Sequence, residues 1–235
     1  MELKKKALRA FTILDKSYGP PMWVQAHHGA MRMWGNAATL HTLVLLGVKP
    51  EHSILDYGCG AGRMAEQLWI NGTTKYTGLD CDELAICYAK RNYGYAGFDF
   101  HVVPVSTNSV YLGEWKADRA IAISLFTHLL PGESTAVLRV FEGCEAAVIS
   151  LFLARDKHDA YFAGARVEIA DGLYVMRKDN PNAIVVHQTE LFESILKSAG
   201  WRIADTVHGS WRQLTPKQCA KQHAPYQDHI RIVRL

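Results

Sequence analysis

The run Ile54-Leu55-Asp56-Tyr57-Gly58-Cys59-Gly60-Ala61-Gly62-Arg63 constrains the fold more than any other stretch of the chain. An apolar strand passes into glycines at alternate positions and then into a helical pattern. Without side chains, such a turn can take positive φ, bring its backbone against a ligand and leave the first N–H groups of the helix free. That arrangement belongs at the carboxyl end of a parallel strand, where open α/β sheets bind ligands. The spacing narrows the ligand. A GxGxxG dinucleotide fingerprint would need glycine at position 63, where Arg63 stands, so the motif is GxGxG with Asp56 two positions before it. Asp80 closes the next apolar run, 76–80, eighteen residues after Gly62. A carboxylate at that distance is placed to accept hydrogen bonds from a ribose diol.

Around this motif the chain alternates. Helical spacing is expected over 25–46, ending at Gly47 and Pro50. Strands are expected at 53–57, 75–79, 98–103, 117–124, 146–153, 202–208 and 229–235, with helices at 63–69, 82–92, 134–142 and 189–199. Alternation of this kind predicts an α/β fold, a three-layer α/β/α sandwich with a mostly parallel sheet. The expected division is an N-terminal helical arm or lid over 1–47 and a ligand-binding domain over 48–235. An insertion near 155–186, with a hairpin around 167–176, interrupts the rhythm and is long enough to be functional.

Composition excludes several classes. With 49% hydrophobic and 21% charged residues, the 235-residue chain can bury a substantial core. A surplus of 26 basic over 23 acidic residues, +3, does not by itself imply nucleic acid or anionic lipid as partner. Cys59, Cys81, Cys87, Cys144 and Cys219 lack paired short spacings, which points away from a disulfide framework or a zinc site and towards a reducing, cytoplasmic location. Lys4-Lys5-Lys6 is followed by Arg9, Asp15 and Lys16, so the start does not read as a signal peptide. The longest apolar stretches are about half of what a membrane span needs.

The Asp56-x-Gly58-x-Gly60-x-Gly62 run with Asp80 resembles the S-adenosylmethionine site of class I, Rossmann-like methyltransferases. The resemblance continues through Ala117-Asp118-Arg119-Ala120-Ile121-Ala122-Ile123-Ser124-Leu125-Phe126-Thr127-His128-Leu129, similar to the fourth strand and S-x-F-T-H-L continuation of small-molecule members. It ends in 187–201 and in Gln227-Asp228-His229-Ile230-Arg231-Ile232-Val233. It implies a seven-stranded sheet with a C-terminal antiparallel strand. It also implies S-adenosyl-L-methionine as cofactor, S-adenosyl-L-homocysteine as product and no metal. Asp56 and the backbone at Gly58, Gly60 and Gly62 would surround the methionine moiety and sugar, and Asp80, with Cys81 beside it, would hold the ribose. Ser124 would lie beside the sulfonium. Where the family often has an acidic residue for the adenine amino group, this chain has Pro104-Val105-Ser106-Thr107-Asn108, leaving Ser106 or Asn108.

His128 stands at the expected mouth of the site, where a neutral imidazole could take the proton of an acceptor oxygen or nitrogen. The same residue could instead cap or pack against the next helix. Arg32 could pair with the methionine carboxylate; it shares the N-terminal region with His27, His28, Trp23 and Trp34, which could equally form a solvated or core face. Asp156, His158, Tyr161 and His187 are candidates to line an acceptor pocket. The expected activity is methyl transfer to oxygen or nitrogen of a small molecule, with no nucleic-acid or membrane partner. The alternatives are a non-catalytic subunit keeping the cofactor fold, and an enzyme acting on nucleic acid or protein. The second lacks an Asn/Asp-Pro-Pro-aromatic loop after the fourth strand. An oxidoreductase using NAD is disfavoured by Arg63.

Overall fold

Alternate residues of the central strands are apolar on both faces, so the sheet they form must be covered on both sides. The computed structural model describes residues 34–103, 115–214 and 225–235, all within one compact unit, Met31–Leu235. Its elements run α1 (Trp34–Leu45), β1 (Ser53–Tyr57), α2 (Arg63–Ile70), β2 (Lys75–Asp80), α3 (Glu83–Tyr93), β3 (Asp99–Val102) and β4 (Ala117–Ala122). Then follow α4 (Pro131–Val140), β5 (Cys144–Leu151), β6 (Leu153–Ala154), α5 (Lys157–Phe162), β7 (Val167–Ala170), β8 (Leu173–Arg177), β9 (Asn180–Gln188), α6 (Thr189–Ser198), β10 (Trp201–Val207) and β11 (Asp228–Arg234).

Seven strands form the central sheet in the order β10-β11-β5-β4-β1-β2-β3. β1 is parallel to β2 and β4, β2 to β3, and β4 to β5. β11 runs antiparallel to both β5 and β10. This is the expected sheet. Ala120, Ala122, Ala147, Ile149, Ile230 and Ile232 face one core with Leu138, Phe192 and Trp201 from α4, α6 and the start of β10. Ile54, Ile121, Ile123 and Val148 face the other, with Leu43 from α1, Met64 and Leu68 from α2, and Ile86 from α3. The C-terminal half of the helical pattern read at 25–46 is thus α1, packed into the second core; residues 25–33 lie outside the described residues.

The 155–186 segment holds more order than a hairpin. β6, β9, β8 and β7 make a second, four-stranded sheet, with β6 parallel to β9 and the other pairs antiparallel. The expected hairpin is its β7–β8 pair. β9 escaped sequence reading because it opens with Asn180-Pro181-Asn182, turn-forming residues, before its apolar run. α5 escaped because it is only six residues long, although Asp156 caps it by accepting from the N–H groups of His158 and Asp159 at 2.8 and 3.0 Å. The strand expected at 117–124 stops at Ala122, where the backbone turns.

Candidate functional site

The glycine turn lies where expected, between β1 and α2, and Gly58, Gly60 and Gly62 all have positive φ, at 80°, 53° and 82°. The N–H groups of Gly58 and Cys59 donate to the Leu79 carbonyl at 2.7 and 3.0 Å, fixing the turn to the end of β2. Gly62 answers to packing: a Cβ there would sit 2.6 Å from the Tyr93 ring. Asp80, the last residue of β2, accepts from Gly60 N–H at 2.7 Å through Oδ2 and from Asp82 N–H at 2.9 Å through Oδ1. A carboxylate has about four acceptor positions, so each oxygen keeps one lone pair for a hydroxyl. The strand end that pins the turn therefore still presents a diol acceptor. Cys81 is exposed beside it, and partial burial of its sulfur, followed by the negative charge of Asp80, pushes its thiol up to about 11.

Asp56 is buried, with 2% of its surface exposed, and accepts from the Tyr76 hydroxyl at 2.6 Å. Burial pushes its carboxyl up to about 7, against the lowering effect of the Tyr76 bond; Asp80 adds to the rise and Arg63 opposes it. Tyr76 is itself held by stacking on Phe98, with ring centroids 4.9 Å apart. Asp56 is thus a tethered polar group beneath the turn.

Ser124 follows β4 and has φ of 64°, the only positive φ of a non-glycine among the described residues. Left-handed backbone costs such a residue about 1–2 kcal/mol, and a closed ring of bonds holds it there. Its N–H donates to Ser150 Oγ at 2.7 Å, Ser150 Oγ donates to Gln227 Oε1 at 2.6 Å, and Ser124 Oγ donates to the same oxygen at 3.1 Å. Thr127 Oγ1 donates to the Ser124 carbonyl at 2.9 Å. The ring joins the carboxyl ends of β4 and β5 to the residue preceding β11. Sequence reading found Ser124 and missed Ser150 and Gln227; the polar triplet Gln227-Asp228-His229 opening an apolar strand was the available signal.

His128 closes the short turn Phe126–His128 and is exposed. Its Nδ1 lies 2.9 Å from the Asn182 carbonyl oxygen on β9, and Asn182 Nδ2 donates back to the His128 carbonyl at 2.7 Å. A carbonyl can only accept, so Nδ1 carries the proton, and in the neutral form of the ring Nε2 is the acceptor. Glu133 completes this latch, accepting from Leu130 N–H at 2.7 Å and Asn182 Nδ2 at 2.8 Å.

His187 does not line a pocket. It is fully buried on β9, its Nε2 donates to the Leu129 carbonyl at 3.2 Å, and burial lowers its pKa to about 4. β9 thus grips the turn after β4 at two points. Asp156 caps α5, while His158 is exposed and Tyr161 is 52% exposed. Arg32, His27, His28, Trp23, Ser106 and Asn108 lie outside the described residues. Below the site, buried Asp228 accepts from Trp211 Nε1 at 2.7 Å and Leu153 N–H at 3.0 Å, and Arg212 bridges it to Asp159 at 3.4 and 3.1 Å. This network ties the second sheet to the start of β11. Among the described residues no group of three or more His, Cys, Asp or Glu side chains could hold a metal ion, and no helix is long and apolar enough to cross a membrane.

Residues 54–145 match the family described as methyltransferase domain. Solved structures share the fold at low identity. Magnesium protoporphyrin IX methyltransferase from Synechocystis, with S-adenosylhomocysteine bound, is 19% identical, with TM-score 0.57 over 88% of this chain and 87% of that one. The Burkholderia thailandensis 1,6-didemethyltoxoflavin-N1-methyltransferase, with its substrate and S-adenosylhomocysteine, is 18% identical, with TM-score 0.55 over 100% and 90%. A Haloferax volcanii complex of the Trm112 methyltransferase activator with a methyltransferase gives 11% identity and TM-score 0.62 over 91% and 94%. The sheet order with its single antiparallel strand, the glycine turn after β1 and the match over 54–145 identify this chain as having the fold of the class I, Rossmann-like S-adenosylmethionine-dependent methyltransferases.

Proposed function

We propose that this protein is an S-adenosylmethionine-dependent methyltransferase that transfers the methyl group to an oxygen or nitrogen of a small molecule by in-line displacement. The observation that carries the reading is the Asp80 carboxylate, pinned to Gly60 N–H with a lone pair left on each oxygen for a ribose diol. Bound S-adenosylmethionine supplies an already activated methyl group. What remains for the chain is to align the acceptor, exclude water and accept a proton. In this reading Asp56, Gly58, Gly60 and Gly62 surround the methionine end and sugar. Cys81 borders the ribose, Ser124 flanks the sulfonium, and Ser106 meets the adenine.

His128 is the base. Its Nδ1 proton is committed to Asn182, which leaves Nε2 as the proton acceptor. The 155–186 insertion forms the acceptor side. Support for a small acceptor comes from the second sheet, which builds a wall against the turn carrying His128, and from the small-molecule enzymes among the structural neighbours.

The test is formation of S-adenosylhomocysteine from S-adenosylmethionine in the presence of pooled phenols, amines and heterocycles, against pools of RNA and of protein. Turnover with a small-molecule pool supports the reading. Turnover only with RNA or protein overturns the acceptor class, and a folded protein that binds no S-adenosyl ligand overturns the activity.

A further inference from the structure

His128 sits exposed on a three-residue turn, and the hydrogen bond of its ring among the described residues goes to β9. The local structure of β9 explains why a carbonyl is available there. β9 pairs with β8 at Asn180–Arg177 and again at Val185–Val175, the register shifts between these pairs, and Asn182 falls in the interval. Such an irregularity takes backbone groups out of the ladder and re-aims them. The Asn182 carbonyl accordingly meets His128 Nδ1 at 2.9 Å.

Asn182 is itself held in place by its side chain. Nδ2 has two protons, and both are spent, one on the His128 carbonyl at 2.7 Å and one on Glu133 Oε2 at 2.8 Å. A reversed amide would set its oxygen against a carbonyl and a carboxylate, so the orientation is fixed. Glu133 Oε2 also accepts from Leu130 N–H at 2.7 Å, and a carboxylate in the first turn of α4 suits the positive end of that helix. The Leu130 side chain packs against Leu173, Val175 and Val185 of the second sheet. Further along β9, His187 Nε2 on the Leu129 carbonyl ties the strand to the same turn. One residue, Asn182, thus holds His128 at both its ring and its carbonyl, and one oxygen, Glu133 Oε2, joins Asn182 to α4.

A free imidazole favours its proton on Nε2, the wrong nitrogen for a base that must accept there; which nitrogen carries it in a protein is set by the bond the other makes. We propose that Asn182 and Glu133 are positioning residues of the transfer reaction, which hold His128 as its Nδ1–H tautomer with Nε2 open to the acceptor. This rests on the reading of His128 as the base. It gives the second sheet a part in the chemistry, through the tautomer it imposes. When Nε2 takes the acceptor's proton the ring becomes imidazolium, and Nδ1–H stays on the Asn182 carbonyl in a bond that strengthens as the ring gains charge.

The test reads the ring directly, by nitrogen NMR of the full chain labelled with ¹⁵N-histidine, the His128 signals being those lost in H128Q. With the ring neutral, the parent protein should show a protonated Nδ1 and a bare Nε2. N182L, which keeps the strand carbonyl but loses both amide bonds, and E133L should shift the ring towards the Nε2–H form. E133Q should keep Nδ1–H, because both bonds reach a single oxygen that the glutamine amide oxygen can replace. Thermal melting of each variant separates folding from positioning. On an acceptor found by the pooled assay, N182L and E133L should lower kcat about tenfold with KM for the acceptor within about twofold, and E133Q should stay within about twofold of the parent in both. A proton on Nε2 in the parent overturns the inference, and so does an unchanged tautomer in folded N182L and E133L, which would leave the two residues a latch that moves only the melting temperature. If H128Q turns over slowly while N182L and E133L match the parent, the base reading stands and the inference fails. If H128Q itself matches the parent, the base reading fails and takes the inference with it.

Discussion

Replacing Gly62 by alanine separates two reasons for a glycine at the end of the turn. At φ of 82°, an alanine pays for left-handed backbone about 1–2 kcal/mol. Its Cβ would also stand 2.6 and 2.7 Å from two carbons of the Tyr93 ring and 3.4 Å from Ala89 Cβ. The ring cannot swing away easily, because Tyr93 is buried in the core formed with Ile54, Met64 and Phe98. Crowding of a packed core adds about 1–3 kcal/mol, for a total of about 2–5 kcal/mol. Gly97 supplies the control: its φ is 78°, and a Cβ there would meet nothing within 4 Å. Gly97→Ala should therefore show the backbone cost alone, about 1–2 kcal/mol. In urea unfolding, with a slope of about 3 kcal/mol/M, the midpoint of G62A should fall below that of G97A by roughly 0.3–1 M. Equal midpoints would refute the argument that Tyr93 dictates this glycine.

Three further outcomes follow from the site and its buried groups. Asp80→Ala removes the ribose acceptor and should weaken S-adenosylhomocysteine binding by about 1–3 kcal/mol in calorimetry; unchanged affinity in a folded variant would displace the ribose from Asp80. Between pH 4 and 6.5 stability should rise with pH. His187 and His229, lowered to about 4 from 6.5, bind protons in the unfolded chain but not in the folded one, whereas Asp56, raised to about 7 from 3.8, does the reverse. The net excess of nearly one proton in the unfolded state near pH 5 gives a slope of about 1 kcal/mol per pH unit, which flattens near pH 7; urea titrations showing stability falling with pH over the lower window would contradict this balance. On an acceptor found by the pooled assay, His128→Ala should retain S-adenosylhomocysteine affinity while turnover drops about 10²–10⁴-fold, and undiminished turnover would make His128 a latch for β9 alone.

The central sheet was legible because its strands carry apolar residues on both faces and its helices follow at regular intervals. The glycine turn was equally legible, since spacing alone distinguishes GxGxG from the dinucleotide fingerprint. The second sheet was not. β9 begins with residues that ordinarily turn the chain, and its partners β6 and β7 have only two and four residues, too few for a periodicity. The ring around Ser124 was hidden for a different reason: Ser150 and Gln227 are 26 and 103 positions away, and it takes the parallel pairing of β4 with β5 to bring the first beside Ser124 and the antiparallel return of β11 beside β5 to bring the second. His187 was misread because a histidine in an apolar run has the same sequence signature whether it is buried on a backbone carbonyl or faces a pocket.

The most direct measurement is a calorimetric titration of the purified protein with S-adenosylmethionine and S-adenosylhomocysteine, with NAD as control. The glycine turn, the diol acceptor at Asp80 and the arginine at position 63 predict micromolar binding of the two S-adenosyl ligands and none of NAD. A folded protein that ignores both, or that binds NAD in their place, would contradict the account.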